Sequence, residues 1–264
     1  MSRAIDIPAA DGTIDAHLFT PGNAEGPLPS VVLFTDIGGL RPCYHEKAQR
    51  IADSGYAVLM PNLYYRDARG PVVPEGKSFR DPDVRPTLFD YAGHLTLEAQ
   101  SRDFAALFGC LDREAEFADG KIGVVGYCLT GAFALRMAAE YPDRVAAAAG
   151  FHSARLAEAG DPASPVHVVG TIEGRVYLGH ADQDELLPPE QIARMDEALA
   201  AAGVHFITEL YRGAAHGFTT KDAPSYDAAA DNLHHRRLAM LLEETLSRAE
   251  LRAIRSGSRA GEPS

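Results

Sequence analysis

The chain has 264 residues, 46% of them hydrophobic, which suits one α/β domain or two small ones. Its formal net charge of −12 at pH 7 argues against nucleic acid and anionic membranes as partners, because both require a basic face. The three cysteines form no CxxC pair and the first residues form no apolar signal segment. We therefore expect a soluble cytoplasmic protein without a disulfide framework.

The predicted elements begin with a β-hairpin, since residues 3–7 and 13–19 flank the turn dipeptide Asp11-Gly12. Strands and helices then alternate along the chain. Apolar runs of strand length predict strands at residues 30–35, 56–60, 122–125, 145–151, 175–179 and 205–211. Helical patterns cover residues 44–54, 94–115, 189–202 and 225–249, and another starts directly after residue 131.

This alternation predicts a single α/β domain over residues 1–250, with a mostly parallel sheet covered by helices on both faces and an antiparallel hairpin at its start. Residues 62–94 are rich in proline and charge and are expected to form an irregular, lid-like insertion. Residues 251–264 are expected to be a flexible tail.

One stretch combines a strand, a tight turn with a cysteine and a helix. Cys128 follows the strand at 122–125, and Gly126 and Gly131 flank it. A lone cysteine is more often a small buried hydrophobe than a nucleophile. The arrangement nevertheless matches a nucleophile elbow, in which small residues let strand and helix approach closely.

Other chemically useful side chains also follow predicted strands. Asp36 comes after the strand at 30–35, Asp182 and Asp184 come after the strand at 175–179, and His216 comes after the last strand. Ligands of such sheets bind at the carboxyl ends of the strands, where these loops meet. With Cys128, the chain order is nucleophile, acid, base, which is the order of α/β-hydrolases.

The chemistry explains why these residue types are needed together. A thiol is mostly protonated at pH 7, so His216 is expected to take its proton and later return it to a leaving alcohol. A carboxylate on the other ring nitrogen would fix the tautomer, and spacing to Pro188 favours Asp184 over Asp182. The backbone N–H groups of Ile37 and Leu129 are expected to form an oxyanion hole.

The motifs that carry these residues resemble those of the dienelactone hydrolase family. They are Gly-Tyr-Cys-Leu-Thr-Gly at 126–131, Asp-Glu-Leu-Leu-Pro at 184–188, Gly-Ala-Ala-His-Gly-Phe at 213–218, the Asp36-Ile37 loop and the segment 55–65. Members are cofactor-free α/β-hydrolases that open cyclic enol-lactones or esters with a Cys-Asp-His triad. The resemblance implies Cys128 as nucleophile, Asp184 as acid and His216 as base.

The sequence departs from the family pattern at three positions. Asp36 stands where the prototype has a Glu that contacts the resting thiol; it would act as the nucleophile-contacting acid, or would bond the Gly38-Gly39 backbone as a turn residue. Thr130 stands where the family usually has Gly, and Thr220 where the prototype has a substrate-binding Arg. Expected substrate contacts are Arg85, with Arg80 as the alternative, Tyr91 and Phe218.

The resulting hypothesis is a cysteine-dependent hydrolase of a carboxylic ester or lactone that forms an acyl-enzyme on Cys128. No cofactor or metal is expected, and the protein would be a monomer or homodimer. His234 and His235 are adjacent on a predicted helix and are expected at the surface. The rival hypotheses are a non-catalytic scaffold of the same fold that binds a small ligand, and a thiol sensor using Cys128.

Overall fold

An eight-stranded sheet forms the centre of the computed structural model, which describes residues 1–246. The strands are β1 Ser2–Ala9, β2 Gly12–Phe19, β3 Ser30–Phe34, β4 Ala57–Pro61, β5 Ile122–Tyr127, β6 Val145–Phe151, β7 Arg175–Gln183 and β8 Phe206–Ala215. The helices are α1 Pro42–Asp53, α2 Arg85–Gly93, α3 Leu97–Leu111, α4 Gly131–Glu140, α5 Pro189–Ala201 and α6 Ala228–Thr245.

The sheet has the order β1-β2-β4-β3-β5-β6-β7-β8. The hairpin β1–β2 is antiparallel and joins β4 in antiparallel register, whereas β3 to β8 run parallel to one another. This confirms the predicted α/β class, with its mostly parallel sheet and N-terminal hairpin. The parallel strands consequently end at one edge, where their loops converge.

Helices cover both faces of the sheet, and each face has its own apolar core. In β5, Val124 packs towards α3, α4 and α5, while Val125 and Tyr127 pack towards α1 and α6. The alternation follows from the two-residue period of a strand. A strand that is buried on both faces must be apolar throughout, which explains the continuous hydrophobic runs.

The structure corrects some of the predicted boundaries. The stretch 62–94 is not wholly irregular, because α2 forms within it, starts with Pro86 in its first turn and buries Leu88. Strands β7 and β8 extend beyond their predicted ends, and residues 152–172 include two single 3₁₀ turns. The predicted tail, 251–264, lies outside the described residues. Within residues 1–246, no helix is both long and apolar enough to cross a membrane.

Candidate active site

The turn after β5 has the predicted elbow geometry. Cys128 has a φ of +60°, in the left-handed region that non-glycine residues rarely adopt, and a 3₁₀ turn leads directly into α4. A Cβ atom at Gly126 would lie 2.0 Å from the carbonyl oxygen of Thr130, and one at Gly131 would lie 1.9 Å from Ser153 Oγ. Both positions therefore require glycine, and the turn exposes the sulfur at the carboxyl edge of the sheet.

Thr130 stabilises this turn through its hydroxyl. Its Oγ1 accepts a hydrogen bond from the Tyr127 N–H at 2.8 Å and lies 2.9 Å from the carbonyl oxygen of Thr35 at the end of β3. The side chain is fully buried. The β-branched residue thus links the elbow to the neighbouring strand, a contact that a glycine at this position could not make.

The three candidate triad residues form one hydrogen-bonded chain. His216 follows β8; its Nδ1 lies 2.7 Å from Asp184 Oδ2, and its Nε2 lies 3.1 Å from Cys128 Sγ. Asp184 also accepts from the Leu186 N–H, which fixes the carboxylate. Asp182, the competing acid, instead accepts from the Gly213 N–H on the exposed surface. The geometry therefore pairs His216 with Asp184, not with Asp182.

The electrostatics of this chain favour a charged imidazole. Burial by itself would lower the pKa of His216, but the hydrogen bonds from its ring to Asp184 and Cys128 raise it to about 10. The Asp184 side chain is only 2% exposed, so its charge is little screened by water. The charged ring thus lies with its Nε2 3.1 Å from Cys128 Sγ.

Asp36 does not contact the sulfur, which corrects that expectation. Both of its carboxylate oxygens bind the guanidinium of Arg41, at 2.5 and 2.8 Å, and one also accepts from the Gly38 N–H. Burial would raise the pKa of Asp36, but the ion pair with Arg41 holds it below the usual value. Asp36 is thus the turn residue of the alternative interpretation, and Arg41, which also binds Asp222, is a partner that the sequence did not reveal.

The expected oxyanion donors lie on the two loops that border the sulfur. Among residues 1–246, the N–H of Ile37 donates to no acceptor of the protein, and the N–H of Leu129 lies in the 3₁₀ turn directly after the sulfur-bearing residue. The Ile37 carbonyl accepts from the hydroxyl of Tyr64 at 2.9 Å, which holds the first loop in place. The Ile37 amide is therefore available to a bound ligand.

The predicted substrate contacts are only partly brought to this site. Tyr91 packs on Tyr64, with ring centroids 5.7 Å apart, and so lies beside the first loop. Arg85 is exposed and its guanidinium covers the ring of Phe89. Phe218 is fully buried and stacks on Tyr211, which corrects its expected role as a substrate contact.

The stretch before α2 contributes a different cation. A Cβ atom at Gly217, next to His216, would lie 4.0 Å from a guanidinium nitrogen of Arg80. Thr220, at the position of the prototype's arginine, is fully buried. Arg80, the alternative to Arg85, thus lies beside Gly217, the residue that follows the candidate base in sequence.

The expectation that the paired histidines of α6 lie at the surface is wrong. The side chain of His235 is only 10% exposed. That of His234 is fully buried, with Nδ1 3.2 Å from Asp231 and Nε2 2.9 Å from the hydroxyl of Tyr127. His235 completes a group of three potential metal ligands with these two residues. The buried ammonium of Lys47, 3.6 Å from Asp231, already supplies a cation there.

Comparisons with known proteins agree with this fold and its motifs. The sequence profile of the dienelactone hydrolase family matches residues 14–246. A carboxymethylenebutenolidase of Pseudomonas putida is 28% identical over 247 residues, covering 91% of this chain and 96% of that protein. A solved structure from Klebsiella pneumoniae aligns with a TM-score of 0.78 at 23% identity, covering 91% of this chain and 97% of the other. A dienelactone hydrolase-like promiscuous phosphotriesterase from metagenomic libraries aligns with a TM-score of 0.75 at 23% identity, covering 93% and 98%.

Proposed function

The chain belongs to the dienelactone hydrolase family, and we propose that it hydrolyses a carboxylic ester or lactone through an acyl-enzyme on Cys128. One observation carries the proposal: Asp184, His216 and Cys128 lie in a continuous hydrogen-bonded chain of 2.7 and 3.1 Å. The sulfur belongs to a strained turn at the edge of the sheet where ligands bind. These are the three roles of nucleophilic acyl transfer in one geometry.

In the first half of the reaction, the Cys128 thiolate attacks the acyl carbon and forms the C–S bond. The carbonyl oxygen becomes an oxyanion, which the N–H groups of Ile37 and Leu129 stabilise. As the tetrahedral intermediate collapses, the C–O bond breaks and the leaving alkoxide takes a proton from His216. In a lactone this alcohol stays attached to the acyl group.

In the second half, neutral His216 removes a proton from water, and the resulting hydroxide attacks the thioester. The same two amides again receive the oxyanion, and the C–S bond then breaks to release the acid. The thiolate and the imidazolium are thereby restored. Asp184 remains ionised throughout and orients the imidazole through Nδ1.

A direct assay tests this reaction. Wild type should hydrolyse p-nitrophenyl acetate and at least one lactone, whereas Cys128→Ala and His216→Ala should lose activity by about 10³-fold or more. The matched control is Cys110→Ala, since Cys110 is a buried cysteine of α3. Intact hydrolysis by Cys128→Ala would contradict the proposal, and a silent wild type that still binds lactones would favour the non-catalytic scaffold.

We further propose that Arg80 contacts substrate carboxylates, because its guanidinium lies beside Gly217, whereas the guanidinium of Arg85 is exposed and lies over the ring of Phe89. A charge-assisted hydrogen bond contributes about 1.5–3 kcal/mol. Arg80→Gln should therefore lower kcat/KM for a carboxylate-bearing ester about tenfold or more, and leave its neutral counterpart unchanged. Arg85→Gln is the control, and an equal loss on both esters would contradict a role in charge recognition.

A further inference from the structure

His152 is an unusual residue next to the candidate base. It follows β6, is fully buried, and has a φ of +37° although it is not a glycine. Its N–H donates to the Gly179 carbonyl at 2.8 Å, which holds this conformation. Left-handed backbone at a non-glycine residue is costly and persists where the surroundings enforce it, often next to reactive groups.

The ring of His152 packs against the ring of His216. Their centroids are 5.3 Å apart and the planes meet at 70°, while Phe218 makes a similar contact with His152 from another side. His152 Nε2 shares a hydrogen bond of 2.8 Å with Thr219 Oγ1. Among the described residues, its Nδ1 has no partner. One side-chain hydrogen bond therefore sets the orientation of this ring.

The surroundings keep His152 uncharged. Burial lowers its pKa well below the usual value, and the nearby positive charges of His216 and Lys47 lower it further. Tyr127, whose ring lies 5.9 Å away, supplies no charge because its own pKa is raised by burial. The proton of this region is thus carried by His216, and His152 meets it as a neutral ring.

Thr219 is held in place by helices α1 and α6, which pack against the loop after β8. Its carbonyl accepts a 2.8 Å hydrogen bond from the buried ammonium of Lys47 in α1, and Lys47 lies 3.6 Å from Asp231 in α6. This ammonium therefore forms an internal ion pair with the carboxylate of Asp231. The loop that carries His216 is consequently fixed to both helices of this face.

We propose that His152 is a positioning residue for His216: held by its hydrogen bond to Thr219, the ring of His152 packs against the imidazole of His216 and keeps it in line between Asp184 and Cys128. The proposal rests on the proposed role of His216 as base. It predicts that loosening His152 disturbs the thiolate–imidazolium pair without touching the binding of substrate.

The test uses a matched pair of variants at Thr219, one variant of His152 and one control. Thr219→Val removes the hydroxyl at nearly constant shape, while Thr219→Ser retains it. His152→Phe keeps a ring but loses the hydrogen bond. Ser30→Ala is the control. It also removes a buried hydroxyl, but the hydroxyl of Ser30, unlike that of Thr219, has no partner within residues 1–246.

The first readout is the rate of alkylation of Cys128 by iodoacetamide between pH 5 and 10, followed by mass spectrometry of its peptide. This reaction needs no substrate, so it tests His152 even if wild type hydrolyses no ester. In Thr219→Val and His152→Phe, the rate at pH 6 should fall about tenfold or more, because the sulfur loses its aligned imidazole partner. Thr219→Ser and Ser30→Ala should retain the wild-type profile.

The second readout is ester hydrolysis, where kcat should fall about tenfold or more in the same two variants, with KM within about twofold of wild type. If His152→Phe does not fold, the Thr219 pair carries the test. A wild-type alkylation profile in Thr219→Val, whatever its melting temperature, would overturn the proposal and leave His152 a packing residue.

Discussion

Replacing Asp184 with Asn separates the proposed triad acid from its neighbour in sequence. The carboxylate of Asp184 lies 2.7 Å from His216 Nδ1 and is nearly inaccessible to water. The amide of Asn has similar size and can still accept from the Leu186 N–H. The substitution therefore removes the charge and the tautomer control, and leaves the loop intact.

The size of the effect follows from the electrostatics of His216. Burial opposes its charge, yet the hydrogen bonds to Asp184 and Cys128 raise its pKa from 6.5 to about 10, which corresponds to about 5 kcal/mol for the imidazolium. The hydrogen bond to Asp184 is the largest of these favourable contributions, so its loss should cost about 2–3 kcal/mol, or roughly 10²-fold in rate. The wrong tautomer adds to this, since the equivalent change in serine proteases lowers kcat by about 10⁴.

We therefore expect kcat for p-nitrophenyl acetate to fall by about 10² to 10⁴ in Asp184→Asn. Asp182→Asn is the matched control, because Asp182 only accepts from the Gly213 N–H, which an Asn side chain can also do. Its kcat should stay within about twofold of wild type, as is usual for an exposed side chain away from the chemistry. Loss of activity in Asp182→Asn with a normal Asp184→Asn would refute this assignment of the acid.

Three further predictions concern His216, Thr130 and His180. The pH profile of kcat/KM should decline on its alkaline side near pH 10, because His216 then loses the proton that it donates to the leaving group; an alkaline limb unchanged up to pH 11 would contradict this. Thr130→Val should lower the free energy of unfolding by about 1–3 kcal/mol in urea titrations, since the Tyr127 N–H loses its acceptor, whereas Thr130→Ser should not. Burial lowers the pKa of His180 to about 4, so the unfolded state takes up its proton first and stability falls as pH drops below about 6.5. His180→Leu should remove that loss, a relative gain of about 2 kcal/mol at pH 5, measured as the difference between urea titrations at pH 5 and 7.

The periodicity of the sequence predicts most of this fold because the central strands are buried on both faces. In a protein of this composition, an apolar run such as residues 122–125 fits a strand buried between two layers of helices. Helix α2 was missed since it begins at Arg85-Pro86, after a stretch broken by prolines, and has little apolar periodicity. Its position depends on the burial of Leu88 against distant elements, which local patterns do not encode.

In the candidate site, the order of the residues along the chain was informative because parallel strands bring their ends together. Distances between His216, Asp184 and Cys128 could not be read from spacing, although the spacing to Pro188 did favour Asp184, the aspartate that the structure pairs with His216. The sequence does carry a signal for the burial of His234. With Leu238 and Leu241, this residue forms the i, i+4, i+7 stripe of α6 that faces the sheet. The fact that His234 and His235 are adjacent in sequence does not by itself predict how deeply either side chain is buried.

Asp36 shows why a side chain of the right type in the right loop can have another role. Its carboxylate is neutralised by Arg41, which is saturated in turn by Asp222, so this charge cannot act on the sulfur as a free acid. The ion pair instead fixes the loop whose Ile37 N–H is a proposed oxyanion donor. In the proposed mechanism, the two loops that border Cys128 therefore have separate roles: the first, internally neutral, donates the Ile37 N–H to the oxyanion, and the second carries His216, which moves the proton.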